Sequence, residues 1–234
     1  MKKAIILLFC VFPYAWSFGA TFESSPIPDS VFARMQGKSW PESCPLSRAD
    51  FRYLRLSHVD EHGVEHVGEM VCHRTIAPAL IDIFRQLYDA RYPIHSIRLI
   101  DDFDADDETS MRANNTSCFC YRTIAGTKKM SKHSRGLAID VNPLYNPCVR
   151  TQTNEKGESY TLIQPSTGKP YVNRTRRFPM KIDKSDRAYK LFSAKGFEWG
   201  GAWSSVKDYQ HFQFPDEQAC AGDAWLHRRP WGIS

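Results

Sequence analysis

The sequence predicts an α+β domain, on three observations. Two β-rich runs, 51–59 and 64–72, flank a polar turn that ends in Gly63, the pattern of a hairpin. Residues 76–91 place Ile76, Leu80, Ile83, Phe84, Leu87 and Tyr88 at helical spacing. Strands and helices then mix without the regular alternation of a doubly wound parallel sheet.

The elements follow in chain order. Met1-Lys2-Lys3 is a short positive start, residues 4–15 are almost without polarity, and polarity rises after Gly19-Ala20. That is the three-part pattern of a secretory signal peptide, so residues 1–20 are expected to be removed. A membrane anchor fits less well: a spanning helix needs about 20 apolar residues, and this run is shorter and carries Pro13. A bulky Phe9 just before Cys10 is wrong for lipoprotein cleavage. Residues 21–234 are expected to form one domain with an N-terminal extension and a core of about 51–215. This domain should be monomeric, not inserted in the membrane, and secreted or periplasmic.

After the hairpin, Pro93 ends the helix of 76–91, 96–100 reads as a short strand, and 101–108 as an acidic loop. Residues 137–141 read as a strand and 185–195 as a second helix, with Gly196 as its C-cap. Near the end, Tyr209, His211, Phe212 and Phe214 suggest a last strand. Hydrophobic residues at 42% and charged residues at 24% are ordinary for a globular protein, and exclude a disordered chain, a collagen or a coiled coil. A net charge of +5 with no basic aromatic stripe argues against a nucleic-acid partner.

Cys10 would leave with the signal, and Cys44, Cys72, Cys118, Cys120, Cys148 and Cys220 remain. An even number in an oxidising compartment predicts disulfides, with 15 possible connectivities. No paired C-x-x-C spacing exists for a zinc ribbon.

The histidines carry the chemistry. His58, His62 and His66 are spaced as on one helix face, but Gly63 interrupts them and the valines alternate as in strands. They read as surface histidines of the hairpin. His73, His95 and His227 stand alone and read as solvated or satisfied. His133 differs: Gly136 follows it and permits a bend, after which residues 137–141 deliver Asp140. On one straight strand a spacing of seven would put the two side chains on opposite faces, so the bend is what lets them converge. Far downstream, Asp208 and His211 lie three apart, behind Trp199-Gly200-Gly201-Ala202-Trp203.

The S-x-H-x-x-G-x-A-x-D pattern of 131–140, followed by D-x-x-H at 208–211, resembles the M15 zinc peptidases. These include D-alanyl-D-alanine carboxypeptidases, vancomycin-resistance dipeptidases and phage L-alanyl-D-glutamate endolysins. The Trp-Gly-Gly-x-Trp run, the stretch 110–122 and Asp140-x-Asn142-Pro143 resemble the endolysin-like branch. The resemblance spans roughly residues 54–214 and leaves the cysteines and the 151–177 loop outside its motifs.

The resemblance implies a small antiparallel sheet with flanking helices, the fold shared with the hedgehog signalling domain. It implies a Zn2+ ion held by His133, Asp140 and His211, Asp208 as the acid–base carboxylate, and Arg122 as the cation that binds the substrate carbonyl or carboxylate. Ser131 and Trp203 are the implied substrate contacts, with Ser131 beside a ligand and Trp203 walling the cleft. Two imidazoles and one carboxylate leave zinc an open position for a water whose pKa falls toward roughly 7. The expected activity is hydrolysis of peptidoglycan stem peptides by a secreted metallopeptidase, either a D,D-carboxypeptidase or an L-Ala-D-Glu endopeptidase. The alternative is a zinc-stabilised wall- or ligand-binding module without turnover, which would have no use for a base at Asp208.

Overall fold

The hairpin is the largest element. In the computed structural model, which describes residues 19–124 and 127–216, β1 (Phe22–Ser25) is followed by α1 (Asp29–Met35) and then by β2 (Phe51–Val59) and β3 (Glu65–His73). The sheet order is β1-β2-β3, antiparallel throughout. The turn closes because Asp60 Oδ1 accepts the backbone N–H groups of His62 and Val64 at 2.9 Å each. The predicted signal segment lies almost wholly outside the described residues. Among those described, no helix is long and apolar enough to cross a membrane.

Helix α2 (Ala77–Asp89) covers the sheet and buries Leu80, Ile83, Phe84 and Leu87. Full burial of such side chains is worth about 1.5–3 kcal/mol each. The helix stops at Asp89, and Arg91 turns left-handed at φ 51° just before Pro93. The predicted strand at 96–100 shrinks to β4 (Ser96–Ile97).

The acidic run at 101–108 is not the loop expected from its charge. It is a 3-10 turn over Ile100–Phe103 and the start of α3 (Asp107–Arg112), capped by Asp106, whose Oδ1 accepts from Thr109 N at 2.8 Å. Carboxylates at a helix N-terminus satisfy orphan N–H groups and oppose the dipole, so an acidic run can start a helix.

Strand β5 (Asn115–Thr116) pairs in parallel with β4. Next come β6 (Ala138–Asp140), β7 (Cys148–Thr153), β8 (Ser159–Gln164) and α4 (Arg187–Ala194). The order closes with β9 (Glu198–Trp199), β10 (Val206–Asp208) and β11 (His211–Gln213). Two further three-stranded antiparallel sheets result, β10-β7-β8 and β6-β11-β9. The architecture is α+β, built from small sheets rather than one. The 151–177 segment, set aside as a loop, holds most of the β7–β8 hairpin and a 3-10 turn over Ser166–Tyr171.

One hydrophobic cluster joins β2, β3, α2, β6, α4 and β11. The rings of Phe192 on α4 and Phe212 on β11 stack at 4.4 Å, which fixes the strand that carries His211. A second cluster gathers Trp40, Phe51, Val71 and Phe119 with Ile27, Val31 and Met35 of the N-terminal extension.

The expected disulfides are absent among the described cysteines: Cys44, Cys72, Cys118, Cys120 and Cys148 are free thiols, and Cys220 lies outside the described residues. All but Cys44 are buried, with Cys72 and Cys118 packed as apolar groups in the first cluster. His58 also departs from expectation. It is buried rather than at the surface, stacks on His66 at 5.4 Å, and its pKa is lowered to about 4 by burial.

Candidate metal centre

His133 sits in a 3-10 turn over Lys132–Arg135. Ser131 starts the turn by accepting the backbone N–H of His133 on its Oγ at 3.3 Å, so it acts as the cap of the segment. Gly136 ends the turn at φ 62°. A Cβ there would lie 2.6 Å from the backbone N of His73 and 2.9 Å from the Phe51 ring. Glycine is therefore needed both for the left-handed bend and for the close passage against β3. The bend feeds β6, and β6 pairs with β11 so that Asp140 and His211 are direct cross-strand partners.

Three ligand atoms converge as a result. His133 Nε2 lies 3.2 Å from His211 Nδ1 and 3.3 Å from Asp140 Oδ2, and His211 Nδ1 lies 3.1 Å from Asp140 Oδ1. All three side chains are buried. Among the described residues this is the group able to hold a metal ion, with its ligand atoms all within 4.8 Å of one another.

The outward nitrogens are already committed. His133 Nδ1–H donates to the Cys118 carbonyl at 2.6 Å. His211 Nε2–H donates to Gln213 Oε1 at 3.3 Å, and Gln213 Nε2 donates to Glu198 Oε2 at 2.9 Å. Each bond fixes a tautomer and leaves the inward nitrogen as a lone-pair donor. Two inward imidazole nitrogens and a carboxylate form a donor set that suits zinc. Burial alone would push the Asp140 carboxyl up, but the charge and hydrogen bonds of His133 and His211 hold it well below the usual carboxylate range. Burial would lower the His211 imidazole, yet its bond to Asp140 raises it instead.

Asp208 lies on β10 directly opposite Cys148 of β7. Its Oδ1 is buried with no hydrogen-bond partner. Burial raises its carboxyl above the ordinary value; His211 opposes the shift and Asp140 adds to it. Gly200 permits this placement, since a Cβ there would lie 2.7 Å from the Asp208 carbonyl oxygen.

Arg122 is held by its backbone to the same turn as His133. Its N–H donates to Ser134 Oγ at 2.8 Å, and its carbonyl accepts from Ser134 Oγ at 2.5 Å and from Ser131 N at 3.1 Å. Its Nη2 meets Asp107 Oδ2 at 2.5 Å, and its Nε is buried without a partner. Burial lowers the guanidinium, but Asp107, Cys120 and Asp140 more than offset that. Burial raises the Asp107 carboxyl against the pull of Arg122 and His133.

Asp107 is the partner of Arg122 that sequence reasoning missed. Its signal was the acidic run, but nothing in that run singles out one carboxylate. The Trp203 ring lies 5.4 Å from the His211 ring, whereas Trp199 is core, with its Nε1–H on the Tyr209 carbonyl at 2.9 Å. His58, His62 and His66 do not join the cluster.

The arrangement places a trio able to hold a metal ion, a half-buried carboxylate and an ion-paired guanidinium in one region. Residues 125–214, well under half of the chain, match the family model described as D-alanyl-D-alanine carboxypeptidase, of the M15 peptidases. No curated protein and no solved structure matches the chain. Arg122 and Asp107 lie N-terminal to the matched segment. The M15 peptidase resemblance read from the motifs therefore holds over residues 125–214, the segment that carries His133, Asp140, Asp208 and His211.

Proposed function

We propose that the protein is a zinc-dependent peptidase, exported from the cell, that hydrolyses the stem peptides of peptidoglycan. The observation that carries this reading is the buried convergence of His133, Asp140 and His211 beside Asp208, inside a segment of M15 peptidase sequence. Zinc bound there would acidify a water molecule and polarise the scissile carbonyl.

The residues of the chain divide the remaining work. Asp208 takes the proton of the attacking water on its unpartnered Oδ1 and returns it to the leaving amine. Arg122 supplies positive charge where negative charge develops on the carbonyl oxygen. Ser131 holds His133 in place through its cap, and Trp203 forms an apolar wall beside His211. The partner is a peptide rather than a nucleic acid, and the chain acts as a monomer outside the cytoplasm.

The test is mass spectrometry of muropeptides incubated with the protein, with and without chelator, alongside elemental analysis. Zinc at one per chain and chelator-sensitive cleavage are expected, and the fragments identify the bond. Loss of zinc in His133→Ala and its retention in Asp208→Ala, with turnover down by about 10²–10⁴-fold, would assign the roles. A zinc-loaded wild type that binds muropeptides without cleaving them would instead make the protein a binding module.

A further inference from the structure

Cys148 has no role in the reading above, yet it is the cross-strand partner of Asp208. We propose that Cys148 is a positioning residue: its thiol donates to the Asp208 carboxylate and holds it with Oδ1 free beside the metal cluster. The inference rests on Asp208 being the acid–base group of the proposed peptidase.

Five observations support it. The β7–β10 register sets the two residues directly opposite each other. The two side chains also act on each other electrostatically, the carboxylate raising the thiol and the thiol lowering the carboxyl. Cys148 is only 8% exposed, so little solvent reaches its thiol. Asp208 Oδ1 stays buried and unpartnered, so Cys148 leaves that oxygen free. Gly200 packs against the Asp208 backbone and Cβ from another element. The aspartate is therefore confined by the Gly200 backbone on one side, and the proposed thiol contact would hold it from the other.

The chemistry favours a thiol over its alternatives. Burial pushes the Cys148 thiol well up, so it keeps its proton and remains a donor. S–H is a weak donor: it orients a carboxylate without stabilising the anion as strongly as a hydroxyl would. An apolar residue at 148 would leave the carboxylate without its donor and free to turn. The β7–β8 hairpin, which lies within none of the metal-binding motifs, thereby acts on the metal centre through one side chain.

Two measurements test this on the zinc-loaded protein. The first is infrared spectroscopy: the S–H band lost in Cys148→Ala should move to higher frequency in Asp208→Ala. An unmoved band overturns the contact whatever the activity. The second is steady-state kinetics on a synthetic stem pentapeptide. Cys148→Val should lower kcat by roughly 3- to 10-fold, the scale of one hydrogen bond, with KM and zinc content unchanged, and Cys148→Ser should recover much of the loss. Wild-type kcat in Cys148→Val overturns the positioning role, and so does a loss that tracks zinc content or melting temperature. Recovery of Cys148 in a disulfide by peptide mapping also overturns it. A wild type that cleaves no bond of the pentapeptide refutes the peptidase reading itself and the catalytic role with it, while the infrared result still decides the contact.

Discussion

Replacing Gly136 by alanine tests whether the bend, and not merely the ligand residues, builds the metal centre. Two costs add. At φ 62° the residue is left-handed, which costs an L-residue roughly 1–2 kcal/mol. The new Cβ would also lie 2.6 Å from His73 N, 2.9 Å from the Phe51 ring and 3.1 Å from the Cys72 carbonyl carbon. Two of those neighbours are backbone, and His73 N already donates to the Gly136 carbonyl at 2.9 Å, so the strand cannot yield freely. Overpacking of that kind costs about 1–3 kcal/mol. The total of roughly 2–5 kcal/mol corresponds to a Tm fall of about 4–20 °C in a domain of this size. Gly157 is the control, since it has φ 80° with nothing within 4 Å of its Cβ position and bears the backbone cost alone. Thermal unfolding of Gly136→Ala and Gly157→Ala, with zinc titration of each, separates the two costs. Gly136→Ala should lose the larger Tm and bind zinc more weakly, because the shift enters between His133 and Asp140. Equal Tm values for the two variants, with unchanged zinc affinity, would refute the close-approach argument.

Other expectations follow from the same structure. His58 is buried with its pKa lowered to about 4, so the unfolded chain binds the extra proton between the unfolded value near 6.5 and that folded value. Stability should therefore be full above about pH 6.5 and fall by at most about 3 kcal/mol as pH drops through that window; urea unfolding across the range should flatten in His58→Leu, and an unchanged slope would count against it. Arg122→Ala should destabilise the fold by stranding Asp107, and adding Asp107→Asn should restore the Tm without restoring turnover; a double variant as unstable as the single one would show that the pair is not what holds Arg122. Gln213→Ala frees His211 Nε2–H from its acceptor and should weaken zinc binding by about 10–100-fold in chelator competition, whereas unchanged affinity would remove Gln213 from the support of the site.

Periodicity and glycine placement made much of this fold readable. The β2–β3 hairpin, α2 and α4 lie within a residue or two of where local pattern puts them, because each buries one face and ends at a turn residue. The bend at Gly136 was also readable, since a His and an Asp seven apart can share a site only if the chain turns between them. Pairing was not. His211 meets Asp140 across 71 residues of chain, and no local pattern encodes that register. The same holds for Cys148 opposite Asp208 and for Asp107 against Arg122. Cysteine number failed for a different reason: it reports a compartment, whereas a disulfide needs two sulfurs aimed at each other. His58 was misjudged because a histidine carries no mark of whether its strand face is covered.

The charges around the centre explain why these residues belong together. Asp140 brings a buried carboxylate, Asp107 and Asp208 two half-buried ones, and Arg122 one guanidinium. With His133 and His211 neutral, that set carries an excess of two negative charges, which burial penalises. Without a cation, burial raises the Asp107 and Asp208 carboxyls and the bond to Asp140 raises His211, all of which lessen that charge. A divalent cation among His133, Asp140 and His211 would cancel the same excess without protons. It would thereby favour the ionised form of Asp208, the form a general base must take. The ligand trio and the outlying carboxylates are thus one electrostatic unit: the trio fixes where a cation would sit, and the other two carboxylates set the charge it would have to carry.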